Sequence, residues 1–154
     1  MINIEGLQKS YGDLLLFDDV AFKINSGERV GLVGRNGHGK TTLFRMIMGF
    51  EAPDSGKISF PKNYQLGYVS QVIDFKKHTI IEEGMRGLPA GSEGQQWMVE
   101  KVLFGLGFTE SDMNRLPGEF SGGFQVRLNL AKVLVSEPDL LLLDEPTNYL
   151  DITS

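Results

Sequence analysis

Gly34-Arg35-Asn36-Gly37-His38-Gly39-Lys40-Thr41-Thr42 decides the reading of this chain. It fits the phosphate-binding pattern G-x-x-x-x-G-K-[ST], with Gly34, Gly39, Lys40 and Thr41 at the fixed places. On its N-terminal side Glu28-Arg29-Val30-Gly31-Leu32-Val33 is an apolar run that predicts a buried strand. On its C-terminal side Leu43, Met46, Ile47 and Phe50 are spaced as one face of a helix. A polyphosphate must lie against backbone N–H groups, so the loop needs glycines that bring the main chain close. The helix that opens near Lys40 aims its free amides and dipole at the anion. Lys40 adds a positive charge for the outer phosphates, and the Thr41 hydroxyl can ligate Mg²⁺. The G-x-G-x-x-G spacing of a dinucleotide site is absent. The stretch reads as a nucleoside triphosphate site.

Composition agrees with a folded domain and excludes several other classes. The chain has 154 residues, 41% apolar and 23% charged, enough to bury a core of its own. A net charge of −5 lacks the basic footprint usual in nucleic-acid binders. Zero cysteines exclude disulfides and thiolate metal sites. Neither a basic-then-apolar leader nor an apolar run of membrane-spanning length is present, so a soluble cytoplasmic protein is expected.

Upstream of the loop, Met1–Leu7 alternates as a half-buried strand, Lys9–Asp13 is a turn, and Leu14–Phe17 and Val20–Ile24 read as strands. Tyr11 reads by spacing as a strand-end aromatic more readily than as a ring that stacks on a purine. Downstream, residues 51–56 are a loop, and Lys57–Phe60 and Leu66–Val69 are short strands. Gln71, at the end of the second, reads as a solvated amide. Thr79-Ile80-Ile81-Glu82 and Ser92-x-x-Gln95 both have capping-box spacing. Val99, Val102, Leu103 and Leu106 form a helical stripe, with Trp97 taken as core, so this region reads as a small helical insert on an α/β core.

The last third carries two further chemical signals. Ser121-Gly122-Gly123 opens a helix with a broad apolar face built on Val126, Leu130, Val133 and Leu134. Alone it reads as a serine N-cap with a glycine turn, though such a helix start also receives anions. Leu140–Leu143 predicts a fully buried parallel strand ending in two carboxylates, where α/β folds bind their ligands. Asp144 suits the Mg²⁺ shell, and Glu145 can orient or deprotonate an attacking water.

In this order, the phosphate loop, Ser121-Gly122-Gly123 with Arg127, and Leu140–Glu145 followed by Asn148-Tyr149-Leu150-Asp151 resemble an ABC-type ATPase domain over almost the whole chain. The implied fold is α/β: a phosphate-loop NTPase core with an N-terminal antiparallel β subdomain and a small helical subdomain. Residues 1–70 and 121–154 would form the core and 72–120 the helical part. The implied ligands are ATP and Mg²⁺. The resemblance places Gly34, Arg35, Asn36, Gly37, His38, Gly39, Lys40, Thr41 and Thr42 on the nucleotide and Tyr11 on adenine. It makes Gln71 a sensor of Mg²⁺ and the γ-phosphate, and puts Thr41 and Asp144 with Gln71 at the metal. Glu145 is then catalytic. Ser121, Gly122 and Gly123 contact ATP held by a second, facing domain, with Asp151 at the same interface.

The wording of Phe120–Phe124, Arg127–Ala131 and Asp144–Asp151 is most similar to the ABC-F branch, whose paired ATPase domains act at the ribosome. Phe124 stands where transporters commonly have glutamine. The interval between Gln71 and Ser121 is too short for a long inserted arm. The histidines, His38 and His78, match no switch histidine, so the chain is expected to be the first domain of a longer protein, ending after Asp151, that binds ATP with little turnover alone. The alternatives are a transporter motor subunit gripping a membrane domain near Gln71, and an ATP-dependent dimerisation module that does not hydrolyse.

Overall fold

The computed structural model describes residues 1–35, 37–70, 72–92 and 94–144, in two units, Met1–Tyr64 and Gln65–Ser154. In the first unit, strand β1 (Ile2–Tyr11) lies between β2 (Leu14–Ile24) and β3 (Ser55–Ser59) in an antiparallel sheet ordered β2-β1-β3. Ile2, Ile4 and Leu7 are buried. Strict alternation would put residue 6 on that face; the pairing slips between Ile4 and Leu7, and this bulge returns Leu7 to the core. The turn expected over Lys9–Asp13 contracts to Gly12-Asp13, a two-residue hairpin loop. The two strands expected from Leu14 to Ile24 are one, with a positive φ of 50° at Asp19 in place of a break.

Helix α1 (Lys40–Ile47) buries Leu43, Met46 and Ile47. It ends in a Schellman motif: Gly49 at φ 74° donates to the Met46 carbonyl, and the Phe50 amide donates to that of Arg45. The left-handed residue turns the chain off the helix axis, so Phe50 does not extend the apolar face and is 64% exposed. The strand expected over Glu28–Val33 does not form. Val33 is 96% exposed, and no ladder partner pairs with this run among the described residues. An apolar run signals a demand for burial; it does not supply the neighbouring strand that a parallel ladder requires.

In the second unit β4 (Leu66–Val69) and β5 (Leu140–Leu143) pair in parallel, Leu66 against Leu140 through Val69 against Leu143. Asp139 and Gln65 lock the register: each backbone amide bonds to the other residue, at 2.8 Å in both directions. Leu142 is buried but Leu143 is not, so β5 is only partly covered, with β4 its single partner among the described residues. Helices α2 (Ile80–Met85), α3 (Gln96–Gly105) and α4 (Gly122–Leu134) enclose a core centred on Ile80, Val99, Leu103, Leu128, Ala131 and Val135. Thr79 caps α2 as its spacing predicts: its hydroxyl accepts from the Glu82 amide, and the Glu82 carboxylate accepts from the Thr79 amide, both at 3.2 Å. The next free amides of that helix, Ile80 and Ile81, donate to the Arg115 and Met113 carbonyls at 3.0 Å.

The second capping box does not form, because α3 begins at Gln96 with Gln95 at its cap and no side-chain cap bond. Trp97 is 60% exposed, which corrects its reading as core. It precedes Val99 by two positions, about 200° around a helix at 3.6 residues per turn, so burying Val99 and Leu103 turns Trp97 outward. Glycine sets how closely the turn after α2 approaches α4: a Cβ on Gly87 would lie 1.8 Å from the Lys132 carbonyl oxygen. Backbone cannot yield as a side-chain tip does. Gly87→Ala is therefore expected to destabilise the second unit by about 3 kcal/mol, read as a lower urea midpoint at unchanged m. An unchanged midpoint would contradict this packing.

Candidate functional site

The phosphate loop meets its helix as the motif requires. Gly39 occupies the N-cap with φ 89° and ψ 0°, a left-handed conformation that a side chain resists. A Cβ there would also come within 2.9 Å of the Phe17 ring, so Phe17 on β2 supports the loop from beneath. Gly39 makes no side-chain cap bond and no acidic residue stands in the first turn of α1, so the helix itself places no negative charge at its positive end. Lys40 folds back over the loop, donating to the Gly34 carbonyl at 2.7 Å and the Arg35 carbonyl at 3.1 Å. Its ammonium is thus held above the backbone that a phosphate would approach. Thr41 and Thr42 follow in the first turn.

Tyr11 ends β1 with its ring 49% exposed. Its hydroxyl donates to the Glu51 carboxylate, just beyond the C-terminus of α1. This bond raises the Tyr11 hydroxyl above the ordinary phenol range, with partial burial acting in the same direction. Lys9 crosses behind the ring, 5.2 Å from its centroid, and pairs with Glu51 and Asp54, at 3.3 Å each. Asp54 also accepts from the Ser10 amide at 2.7 Å and the Ser10 hydroxyl at 2.9 Å, and these bonds hold its carboxyl below the usual range.

In the second unit, Asp144 stands at the C-terminal end of β5, 6% exposed. Its amide donates to the Val69 carbonyl at 3.1 Å, and the Tyr68 hydroxyl donates to its Oδ2 at 3.1 Å. These bonds fix a carboxylate where parallel strands end, and a carboxylate and a threonine hydroxyl are both hard oxygen donors suited to Mg²⁺. Ser121 occupies the N-cap of α4 without making a side-chain cap bond, and it and Gly122 are exposed. An ordinary serine cap would have used that hydroxyl on an amide of the first turn. Phe120 and Phe124, on either side of Ser121, pack edge-on against Phe108 with centroids 5.7 and 5.2 Å away. Arg127 lies 4.9 Å over Phe124 and donates to the Leu106 carbonyl.

Asn36, Gln71, Glu145 and Asp151 lie outside the described residues. Within the first unit the structure brings Tyr11 into contact with Glu51, just past the end of α1, and within the second it places Asp144 and Ser121 at two element ends. Sequence reasoning missed Phe17, Glu51 and Tyr68. Each acts through a partner distant in sequence, and no local spacing marks it.

The sequence profile described as ABC transporter matches residues 17–148. The "Energy-dependent translational throttle protein EttA" of Escherichia coli (strain K12) is 44% identical over 155 residues, covering 99% of this chain and 28% of that protein. "ABC transporter F family member 5" of Arabidopsis thaliana is 34% identical over 195 residues, covering 98% of this chain and 28% of that protein. The chain therefore spans under a third of the length of these curated relatives. Among solved structures, cbiO1 from Clostridium perfringens, part of the ABC transporter complex cbiONQ, superposes with a TM-score of 0.81 at 28% identity. That match covers 97% of this chain and 67% of the other. The dimeric bacterial ABC transporter cassette MJ0796 superposes with a TM-score of 0.78 at 25% identity, covering 98% of this chain and 76% of its own.

Proposed function

This chain belongs to the ABC transporter family, and from that premise we propose that it binds Mg-ATP and hydrolyses it to ADP and phosphate when two such domains pair. The observation that carries the reading is the left-handed Gly39 at a helix start whose own first turn has no acidic residue, with the Lys40 ammonium held over the loop. Backbone amides along Gly34–Thr42 cradle the phosphates, Lys40 binds the outer ones, and Tyr11 stacks on the base. Thr41 and Asp144, with Gln71, hold Mg²⁺. When bound there, Mg²⁺ would supply charge neutralisation to the phosphates. Glu145 orients the attacking water. Ser121, Gly122 and Gly123 donate to a nucleotide held by the facing domain, with Asp151 at that interface, so each site is completed from two domains. The uncommitted Ser121 hydroxyl supports this assignment.

Calorimetric titration of the 154-residue chain with Mg-ATP tests the binding step. A saturable isotherm is expected; a folded chain that takes up no nucleotide overturns the reading. Pairing predicts that turnover per chain rises with chain concentration. A concentration-independent rate would rule out shared sites.

The similarity to a translational throttle protein supports an ABC-F role at the ribosome, in the cytoplasm, as part of a longer protein. Similarity to a transporter-complex subunit favours a second reading, a motor that docks on a membrane domain. Cosedimentation of the protein with ribosomes, or with membranes, in the presence of Mg-ATP separates the two. Among the described residues no helix is long and apolar enough to cross a membrane.

A further inference from the structure

The Tyr11 ring is fastened to the helix that carries the phosphate loop, and Glu51 is the fastening. Its side chain is only 17% exposed although it lies in a loop. It accepts a hydrogen bond from the Tyr11 hydroxyl and faces Lys9 Nζ at 3.3 Å and Arg45 Nε at 3.7 Å. Arg45 belongs to α1. Lys9 is bonded in turn to the Ala52 carbonyl at 2.9 Å and to Asp54. Through Glu51, Tyr11 is therefore tied to the C-terminal end of α1, and the loop from Glu51 to Asp54 grips the end of β1 on which it stands.

A ring that stacks on a base gains from being fixed beforehand, because ordering it on binding costs conformational entropy. Packing fixes a buried ring, but this one is half exposed, and its hydrogen bond to Glu51 supplies the restraint. We propose that Glu51 is a positioning residue for nucleotide recognition, holding the Tyr11 ring at a set distance from the phosphate loop so that base and phosphates are bound together. The proposal rests on the reading of Tyr11 as the base-stacking ring. Glu51 touches no part of the nucleotide in this scheme; it acts through Tyr11.

The test compares Mg-ATP with Mg-tripolyphosphate, which has the phosphates without the base, by calorimetry on the 154-residue chain. Glu51→Ala is expected to weaken ATP binding about fivefold while leaving tripolyphosphate unchanged. Glu51→Gln keeps an oxygen for the Tyr11 hydroxyl and should restore most of the loss. In a Tyr11→Phe background Glu51→Ala should add nothing, because the shared bond is already gone. Equal losses for both ligands, or the same loss in both backgrounds, overturn the proposal and leave the phosphate-loop reading intact. 3-Fluorotyrosine at position 11 reads the tether without nucleotide: its fluorine resonance should shift and broaden in Glu51→Ala. An unmoved resonance overturns the proposal. A chain that keeps the tether yet binds neither ligand overturns the proposal together with the reading beneath it.

Discussion

Lys40→Ala should weaken Mg-ATP binding by about 100-fold, equivalent to about 2.8 kcal/mol, without altering the fold. The lysine stands on the first turn of α1, where its ammonium bonds only to the Gly34 and Arg35 carbonyls among the contacts described. Alanine removes those bonds but favours the helix, so stability is expected to stay within about 0.5 kcal/mol. The loss should appear equally with tripolyphosphate, since Lys40 serves the phosphates and not the base. Titration calorimetry with a circular dichroism control makes the measurement. Undiminished affinity would remove the phosphate site from this loop.

Glu83→Ala is expected to cost about 3 kcal/mol in the second unit and to flatten the acid limb of its stability profile. Glu83, on α2, is 0% exposed. Its carboxylate accepts from Lys132 Nζ of α4 at 2.8 Å and from the Lys76 and Lys77 amides at 2.9 Å, and it pairs with Arg86. Burial pushes its pKa up, but the Lys132 ammonium and the two amides outweigh burial and hold it below the usual glutamate value. Unfolded glutamate takes up its proton near about pH 4.3, and the folded group only at lower pH. The stabilisation is therefore complete above the unfolded value and drains away as pH falls through the folded one. Urea titrations from neutral pH downward should show the wild-type midpoint converging on that of Glu83→Ala. Parallel profiles would mean that this carboxylate does not set the acid limb.

What the sequence disclosed follows the range of each interaction. Thr79 caps Glu82 and Gly39 precedes Lys40 within a few residues, so spacing alone locates the α2 box and the phosphate loop. β4 and β5 were legible as short apolar runs, yet their pairing depends on Gln65 and Asp139, far apart in the chain. The same range explains the misses. Whether Glu28–Val33 becomes a strand depends on a neighbour elsewhere in the chain, and the Trp97 environment depends on which α3 face meets α2 and α4. Nothing local in the sequence marks Glu83, since Lys132 reaches it from 49 positions away. Glu51 and Tyr68 were invisible for this reason: each is defined by the side chain it holds, Tyr11 and Asp144.

Helix α1 has eight residues, about 12 Å at 1.5 Å per residue, with the left-handed Gly39 at one end and the left-handed Gly49 just past the other. Both ends are thus pinned by backbone geometry, and the helix serves as a ruler between the phosphate loop and Glu51. One residue inserted before Gly49 would leave the whole phosphate motif intact while swinging the Glu51 loop about 100° around the axis, away from Tyr11. If Glu51 positions Tyr11 as proposed, helix length becomes a specificity parameter. A homologue that keeps every motif residue but lengthens this helix by one should still bind polyphosphate and lose its preference for the attached base.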